Sequence, residues 1–250
     1  MKILIHGFGA MGKMVLEEAQ KNPAIEVVGI IERSQSGDPQ PNLPAIYSSF
    51  DNAPNVDIII DFSHPSLLLP LLEYAKNTKT GLVLATTGYS DDDLKVIEET
   101  ATAIPIFQSY NMSLGLRMVL DALRTLAPQA EGQFDIEIEE RHHRKKVDAP
   151  SGTAWLLFRT IAAILPNKKA ILDRFSKKEA RKPEEIGIVA LRGGTIFGEH
   201  TVLFAGEDEL IEIKHTALSK RLFATGSLSA AKFLLEKSCG LYNLDNIHKN

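Results

Sequence analysis

Residues 2–12 read K-I-L-I-H-G-F-G-A-M-G: a short apolar run, Lys2 to His6, passes straight into three glycines, Gly7, Gly9 and Gly12. The following M-G-K-M-V-L-E-E-A-Q-K places Met11, Met14, Val15 and Ala19 on one face at helical spacing. E-V-V-G-I-I (26–31) is a second strand, ending at Glu32, 20 residues beyond Gly12. Strand, glycine loop, helix, strand and acid in that order form the pattern of a dinucleotide-binding unit. Glycines also mark ordinary tight turns, so the loop alone decides little; the flanking elements carry the reading. Gly7 permits the turn, Gly9 lets the backbone approach a pyrophosphate, and Gly12 lets the helix pack closely on the sheet. Phe8, Ala10 and Met11 complete the candidate cofactor loop.

Working outward, residues 34–55 hold four prolines and many polar residues and read as a loop across the sheet edge. V-D-I-I-I-D-F (56–62) reads as a buried parallel strand, followed by a helix opening at Pro65. G-L-V-L-A-T-T-G (81–88) and I-P-I-F-Q-S (104–109) are further strands, separated by a helix that opens at the Asp91–Asp93 acids. This rhythm predicts an α/β fold with a doubly wound, mostly parallel Rossmann-type sheet. Ligands sit beyond the carboxyl ends of such strands. That makes Ala85, Thr86 and Thr87, and Ser109, Tyr110, Asn111 and Met112, candidates for cofactor contact, although such loop residues can equally be ordinary connections.

After Asn111 the character shifts. S-L-G-L-R-M-V-L-D-A-L-R-T-L-A is a long amphipathic helix expected to end at Pro128 and Gly132. F-D-I-E-I-E-E (134–140) alternates as a half-buried strand does. Residues 167–186 read as an exposed, charged excursion. Strands return at G-I-V-A-L-R-G-G and H-T-V-L-F-A-G-E-D-E-L-I-E-I-K-H-T, the latter with a hairpin at Gly206-Glu207-Asp208. The block from about 113 to 220 therefore predicts a second α+β domain with an antiparallel or mixed sheet and two helices. Its strands over 187–217 carry apolar residues on more than one face, which favours self-association.

Within that block, residues 139–154 read E-E-R-H-H-R-K-K-V-D-A-P-S-G-T-A, six consecutive basic residues from Arg141 to Lys146 followed by a turn and a helix start. A basic run is commonly a solvated face. Here it continues into a tight turn, an N-cap serine (Ser151) and a glycine, features that a merely charged surface does not need. Backbone N–H groups at such a helix start, with imidazoles and lysines beside them, suit a small substrate carrying carboxylates and needing a proton. Adjacent histidines on a strand point to opposite faces and no Cys lies nearby, so no metal site is expected.

This segment closely resembles the signature of the 4-hydroxy-tetrahydrodipicolinate (dihydrodipicolinate) reductase family, the reductases of the diaminopimelate route to lysine. The resemblance implies that His142 is proton donor and acceptor, that Lys146 is a second acid, and that His143, Gly152 and Thr153 contact the substrate. It also implies that A-T-T-G (85–88) and the segment from Ser109 line the nicotinamide side of the cofactor site. Ala85 and Ser109 here replace the family's glycine and alanine. R-G-G-T-I-F-G-E-H-T (192–201) is similar to another family pattern; its glycines could equally be hairpin turns, and no chemistry is assigned to it. The family is typically a homotetramer, and its last helix returns to the nucleotide domain. That implies a dinucleotide-binding domain of residues 1–112 plus 221–250, and a substrate-binding and oligomerisation domain of 113–220.

NADH and NADPH are both expected as cofactors. Glu32 can accept hydrogen bonds from the adenosine ribose hydroxyls and faces a 2′-phosphate unfavourably, whereas Arg33 can pair with that phosphate. With Glu32 read as lying on a solvent-facing loop, free to turn away, NADH should be modestly preferred.

Composition sets bounds on the partners. With 250 residues, 44% hydrophobic and 24% charged, the chain has material for a sizeable core. A net charge of −4 gives no reason to expect nucleic acid or an anionic membrane as partner. The single cysteine, Cys239, leaves no internal disulfide framework. Residues 1–6 lead directly into a strand without a targeting pattern, and the expected location is cytoplasmic. Two other readings remain open: another two-domain Rossmann oxidoreductase, of aspartate or homoserine dehydrogenase type, and a non-catalytic NAD(P)-sensing protein. The His142–Lys146 acids argue against the sensor, since holding a dinucleotide requires no such groups.

Overall fold

The computed structural model describes residues 1–33 and 43–247. In chain order the elements begin with β1 (Lys2–His6), α1 (Ala10–Gln20), β2 (Glu26–Ile31), β3 (Ala45–Tyr47) and β4 (Ile58–Asp61). A 3-10 turn at Pro65–Leu67 leads into α2 (Leu68–Thr78), followed by β5 (Gly81–Leu84), α3 (Asp91–Ala101) and β6 (Pro105–Gln108). Then come α4 (Leu114–Ala130), β7 (Asp135–His142), α5 (Gly152–Ile164), β8 (Lys169–Ile171) and β9 (Glu185–Arg192). β10 (Gly198–Ala205), β11 (Leu210–Ala217), α6 (Arg221–Leu234) and β12 (Gly240–Tyr242) follow, then a 3-10 turn at Leu244–Asn246. These elements form two compact units, Met1–Ser113 with Lys220–Asn250, and Leu114–Ser219. Among the described residues no helix is long and apolar enough to cross a membrane.

The first unit is a seven-stranded sheet in the order β12-β6-β5-β4-β1-β2-β3, with every neighbouring pair parallel. The unbroken apolar runs of β1, β4 and β5 follow from this, since parallel strands are covered on both faces. Ile3–Ile5, Ile58–Ile60 and Leu82–Leu84 are all buried. The order reverses between β1 and β4, so a crevice opens beyond His6 and Asp61, where open α/β sheets bind ligands. α3 opens at the Asp91–Asp93 acids as expected, and Ser90 caps it with a complete capping box to Asp93.

The second unit is a five-stranded mixed sheet, β11-β10-β7-β9-β8. β10 runs antiparallel to β11 and β7, whereas β9 runs parallel to β7 and β8. Its core joins Leu116, Leu120 and Leu123 of α4 and Leu157 and Ile161 of α5 to Ile136, Ile138, Val202 and Phe204 of the sheet.

Several expectations need correction. Residues 34–55 are not all loop: Ala45–Tyr47 pairs with β2 as a parallel edge strand, while 34–42 lie outside the described residues. The 167–186 excursion contains the edge strand β8, and Glu185 and Ile186 are buried. Pro128 does not end α4; it sits in the last turn, and the helix stops at Ala130. The basic run does not wait for the strand to finish either, because Arg141 and His142 are its last two residues.

In the first unit α6 packs on α1 and on β4, β5 and β6. Gly226 of α6 lies so close to the Met112 carbonyl that a Cβ there would overlap the oxygen. The glycine thereby fixes how near α6 comes to the segment after β6. Gly226→Ala should destabilise the protein by on the order of 1–3 kcal/mol through overpacking. Thermal unfolding would register this as a drop of about 2–4 °C per kcal/mol; an unchanged midpoint contradicts the contact.

Candidate active site

In the first unit the glycine loop emerges from β1 and turns directly into α1. Gly7 has φ +87°, a conformation that favours glycine, and a side chain on it would meet the backbone of Phe62 and Ser63. Gly12 is buried against the Gly7 carbonyl, so it too excludes a Cβ. Gly9 differs: it is the N-cap of α1, lacks a side-chain cap bond, and a Cβ on it would meet nothing within 4 Å. The positive end of α1, with no acid in its first turn, is thus approachable by an anion. These features fit the pyrophosphate of a dinucleotide.

Two cavities flank this loop. One of about 310 Å³ is lined by Gly7, Gly9, Glu32 and Arg33 together with His6, Ser48, Ser49 and Phe50. The other, about 300 Å³, is lined by Met11, Ala85, Thr86, Thr87, Tyr110 and Met112 together with Lys220 and Phe223. Phe62 and Ser63 line both. Phe8, Ala10, Gly12, Ser109 and Asn111 line neither. Phe8 is buried and its N–H donates to Glu32 Oε2 at 2.8 Å. Ser109 Oγ donates to the Asn111 carbonyl at 2.7 Å, so this pair shapes the loop that presents Tyr110 and Met112. Glu32 is half-buried and tied to the Phe8 amide, which corrects the expectation of an acid free to turn away.

Beneath the crevice lies Asp61, 1% exposed. Ser63 Oγ (2.5 Å) donates to its Oδ1, Thr86 Oγ1 (2.6 Å) and Tyr89 OH (3.1 Å) donate to its Oδ2, and His6 Nδ1 lies 2.8 Å from Oδ1. Burial opposes ionisation, yet His6, Ser63 and Thr86 hold its carboxyl below the usual range. Thr86 therefore spends its hydroxyl on Asp61 and also accepts the Ser63 N–H at 3.0 Å, linking the segments after β4 and β5.

In the second unit, β7 alternates so that Ile136, Ile138, Glu140 and His142 all face inward. The face is apolar at one end of the strand and carries a carboxylate and an imidazole at the other. Glu140 is fully buried and His142 is 9% exposed. Glu140 Oε2 lies 2.6 Å from His142 Nδ1 and 2.7 Å from Arg192 Nη1. Oε1 accepts from Arg192 Nη2 at 2.8 Å and from the Ser151 N–H at 3.0 Å. Burial works against the charge, but Arg192, His142 and Ser151 hold the carboxyl below its usual range. Arg192 also donates to the Asp148 carbonyl at 2.7 Å, fixing the V-D-A-P turn.

Ser151 caps α5 as expected, its Oγ accepting from Ala154 N at 3.2 Å. Gly152 and Thr153 form the first turn, at the positive end of the helix dipole. Ser151 Oγ also lies 2.8 Å from His200 Nε2, and the His200 ring meets His142 edge to face at 5.2 Å. Burial, aided by His142, lowers the His200 pKa to about 4, so this imidazole is neutral near pH 7. Lys146 Nζ pairs with Asp148 Oδ1 at 2.8 Å, and His143, half-buried, starts the turn after β7.

The sequence reading had not singled out Phe62, Ser63, Glu140, Arg192 or His200. The first two follow a buried parallel strand, a position that itself points to ligand contact. Arg192 and His200 lie in the R-G-G-T-I-F-G-E-H-T segment, whose glycines on their own suggest only hairpin turns.

Comparison with known proteins adds to this geometry. Family models described as dihydrodipicolinate reductase, N-terminus, and dihydrodipicolinate reductase, C-terminus, match residues 1–112 and 115–247. The 4-hydroxy-tetrahydrodipicolinate reductase of Exiguobacterium sibiricum is 52% identical over 99% of this chain and 96% of its own. That of Exiguobacterium sp. AT1b is 50% identical over 100% and 96%. A solved structure, dipicolinate-bound dihydrodipicolinate reductase from Paenisporosarcina sp. TG-14, superposes with a TM-score of 0.82 over 99% of each chain. At 22% identity that likeness bears on the fold alone. Matched by both halves of the family model and by relatives at half identity along its length, this chain belongs to the dihydrodipicolinate reductase family.

Proposed function

We propose that this chain is the NAD(P)H-dependent reductase that converts 4-hydroxy-tetrahydrodipicolinate to tetrahydrodipicolinate on the diaminopimelate route to lysine. The observation that carries the reading is the end of β7, where a buried carboxylate holds His142 and the N-cap of α5 on its two oxygens. A dinucleotide-sensing protein has no use for that arrangement. The same family membership disfavours an aspartate or homoserine dehydrogenase.

Under this reading the first unit binds the dinucleotide, through the Gly7–Gly12 loop and α1 for the pyrophosphate, Glu32 and Arg33 for the adenosine ribose, and Ala85–Thr87 with Tyr110–Met112 for the nicotinamide side. When bound, the reduced nicotinamide would supply a hydride to the ring carbon made electrophilic by departure of the 4-hydroxyl as water, so that hydride, proton and released water together account for the conversion. The second unit holds the ring's two carboxylates through the Gly152 and Thr153 amides, His143 and nearby cationic side chains. His142 gives a proton to the atom that takes up the displaced electron pair, and Lys146 serves as the second acid. A cytoplasmic location belongs to the same reading.

His142→Gln and Lys146→Gln should each lower kcat by on the order of 10²–10⁴, the scale of a lost general acid. His143→Gln should mainly raise KM. The assay follows NAD(P)H absorbance with freshly made substrate. No turnover of that substrate, or turnover of aspartate or homoserine with oxidised cofactor instead, overturns the reading.

Cofactor choice turns on Glu32 and Arg33. The Phe8 amide holds the Glu32 carboxylate in place, which limits its retreat from a 2′-phosphate. NADH should be preferred by roughly tenfold, about 1.4 kcal/mol. Glu32→Ala should weaken NADH and spare NADPH, and Arg33→Ala should hurt NADPH more. Measured kcat/KM ratios for both cofactors decide this, and a wild type more than a hundredfold selective for NADPH contradicts it.

A homotetramer assembled through the second unit's sheet completes the proposal. Val189 and Leu191 are exposed on neighbouring outward positions of β9, and Leu210 is exposed on β11. Light scattering after size exclusion should give four times the 27.5 kDa chain mass. A 27.5 kDa species alone at micromolar concentration rules the tetramer out.

A further inference from the structure

Glu140 lies at the centre of the second unit's polar cluster, yet nothing in the proton transfer proposed above requires it to touch substrate. Its two oxygens are shared among four donors on three elements: His142 on its own strand, both Nη atoms of Arg192 on β9, and the N–H of Ser151 at the start of α5. Strand register sets this up. His142 lies opposite Arg192 across the β7–β9 pair, and Glu140 lies opposite His200 across the β7–β10 pair.

The two nitrogens of His142 are consequently unlike. Nδ1 faces Glu140 Oε2 at 2.6 Å. Nε2 faces Gly198, where an added Cβ would come within 3.2 Å, so the glycine keeps bulk away from that nitrogen. A carboxylate only accepts, and the Arg192 guanidinium keeps this one ionised. The nitrogen facing it must therefore carry the proton in the neutral ring.

We infer that Glu140 is a positioning residue that locks His142 into the Nδ1–H tautomer and reserves Nε2 for proton exchange with substrate. This rests on the reading of His142 as the proton donor. The step then balances simply. The imidazolium releases its Nε2 proton to the substrate atom that takes up the electron pair as hydride adds at the ring carbon. The neutral ring retains its Nδ1 proton on Glu140, and Nε2 is recharged from solvent.

Glu140→Gln tests the idea with little change of shape. An amide matches only half of the donor set. Placing its NH₂ at the Oε1 position sets it against two donors, Ser151 N–H and Arg192 Nη2. Placing it at the Oε2 position opposes only Arg192 Nη1, because His142 can shift its own proton to Nε2 and accept at Nδ1. The second arrangement wins, and Nε2 is then protonated in the neutral ring.

Nitrogen-15 imidazole spectra, followed to the pH beyond which the signals no longer move, read the tautomer directly, with the His142 signal identified by its loss in His142→Gln. Wild type should show the Nδ1–H form and Glu140→Gln the Nε2–H form. The kcat of Glu140→Gln should fall by on the order of 10²–10⁴, with substrate KM and NADH affinity within about threefold, a split that loss of folded protein does not produce.

A wild-type His142 in the Nε2–H form, or a Glu140→Gln kcat within threefold of wild type, overturns the inference. If Glu140→Gln does not fold, the wild-type spectrum decides alone. Failure of the parent reading looks different, because His142→Gln itself would then turn over normally whatever its tautomer.

Discussion

A buried carboxylate has to be compensated, and the second unit is arranged around doing so for Glu140. Stripping one partner from a buried ion pair typically costs about 3–5 kcal/mol, a large share of the stability of an ordinary domain. Here the compensation comes from both Nη atoms of one guanidinium, an imidazole and a backbone N–H. Each sits on a different stretch of chain, so the strand register, the turn at Asp148 and the start of α5 have to be right together. A one-residue slip of β7 would turn Glu139 and Arg141 inward in place of Glu140 and His142. The inward Ile136 and Ile138 resist the slip, since they would leave the core at the same time.

The first unit solves a similar problem with different partners. Asp61 is as deeply placed as Glu140, but three hydroxyls and His6 surround it, without a guanidinium. Hydroxyls rotate and share, so this carboxylate can gather segments following β4 and β5 into one floor for the crevice. Those hydrogen bonds offset the cost of the buried charge and at the same time tie the two segments together. Phe62 and Ser63, shared by both cavities, are held there as a consequence.

The sequence discloses these features unevenly, for physical reasons. The glycine loop, α1 and β2 are contiguous, and Gly7 and Gly12 answer steric needs of the turn itself, so the dinucleotide-binding pattern can be read within 32 residues. The E-E-R-H-H-R-K-K run is equally local. Arg192, by contrast, reaches Glu140 across 52 positions through strand pairing, and nothing near it in sequence announces the contact. Glu140 itself looks like one acid of an alternating strand; its parity with Ile136 and Ile138 puts it, unlike Glu139, on the inward face, but nothing local shows what compensates it there. The strands β3, β8 and β12 have three residues each and exist because a neighbouring strand offers a ladder. Too short to show a period, they are set by tertiary pairing rather than local preference. Pro128 shows the same limit from the other side, as packing of α4 carries the helix two residues beyond its breaker.

The site's charges divide into fixed and exchangeable ones. Arg192 is committed: its Nη atoms are spent on Glu140 and on the Asp148 carbonyl, and withdrawing them would strand a buried carboxylate. Lys146 pairs instead with Asp148, whose side chain is 62% exposed. Pairs of that kind contribute only about 0–1 kcal/mol, because water can replace either partner. An anion reaching that turn can therefore take the Lys146 ammonium from Asp148 at little cost, while no such exchange is open at Arg192. The lysine is thus free to exchange partners, and the arginine holds the frame. That division follows from how deeply each partner's carboxylate is buried, not from the basic residues themselves, and a run of six basic residues in sequence gives no hint of it.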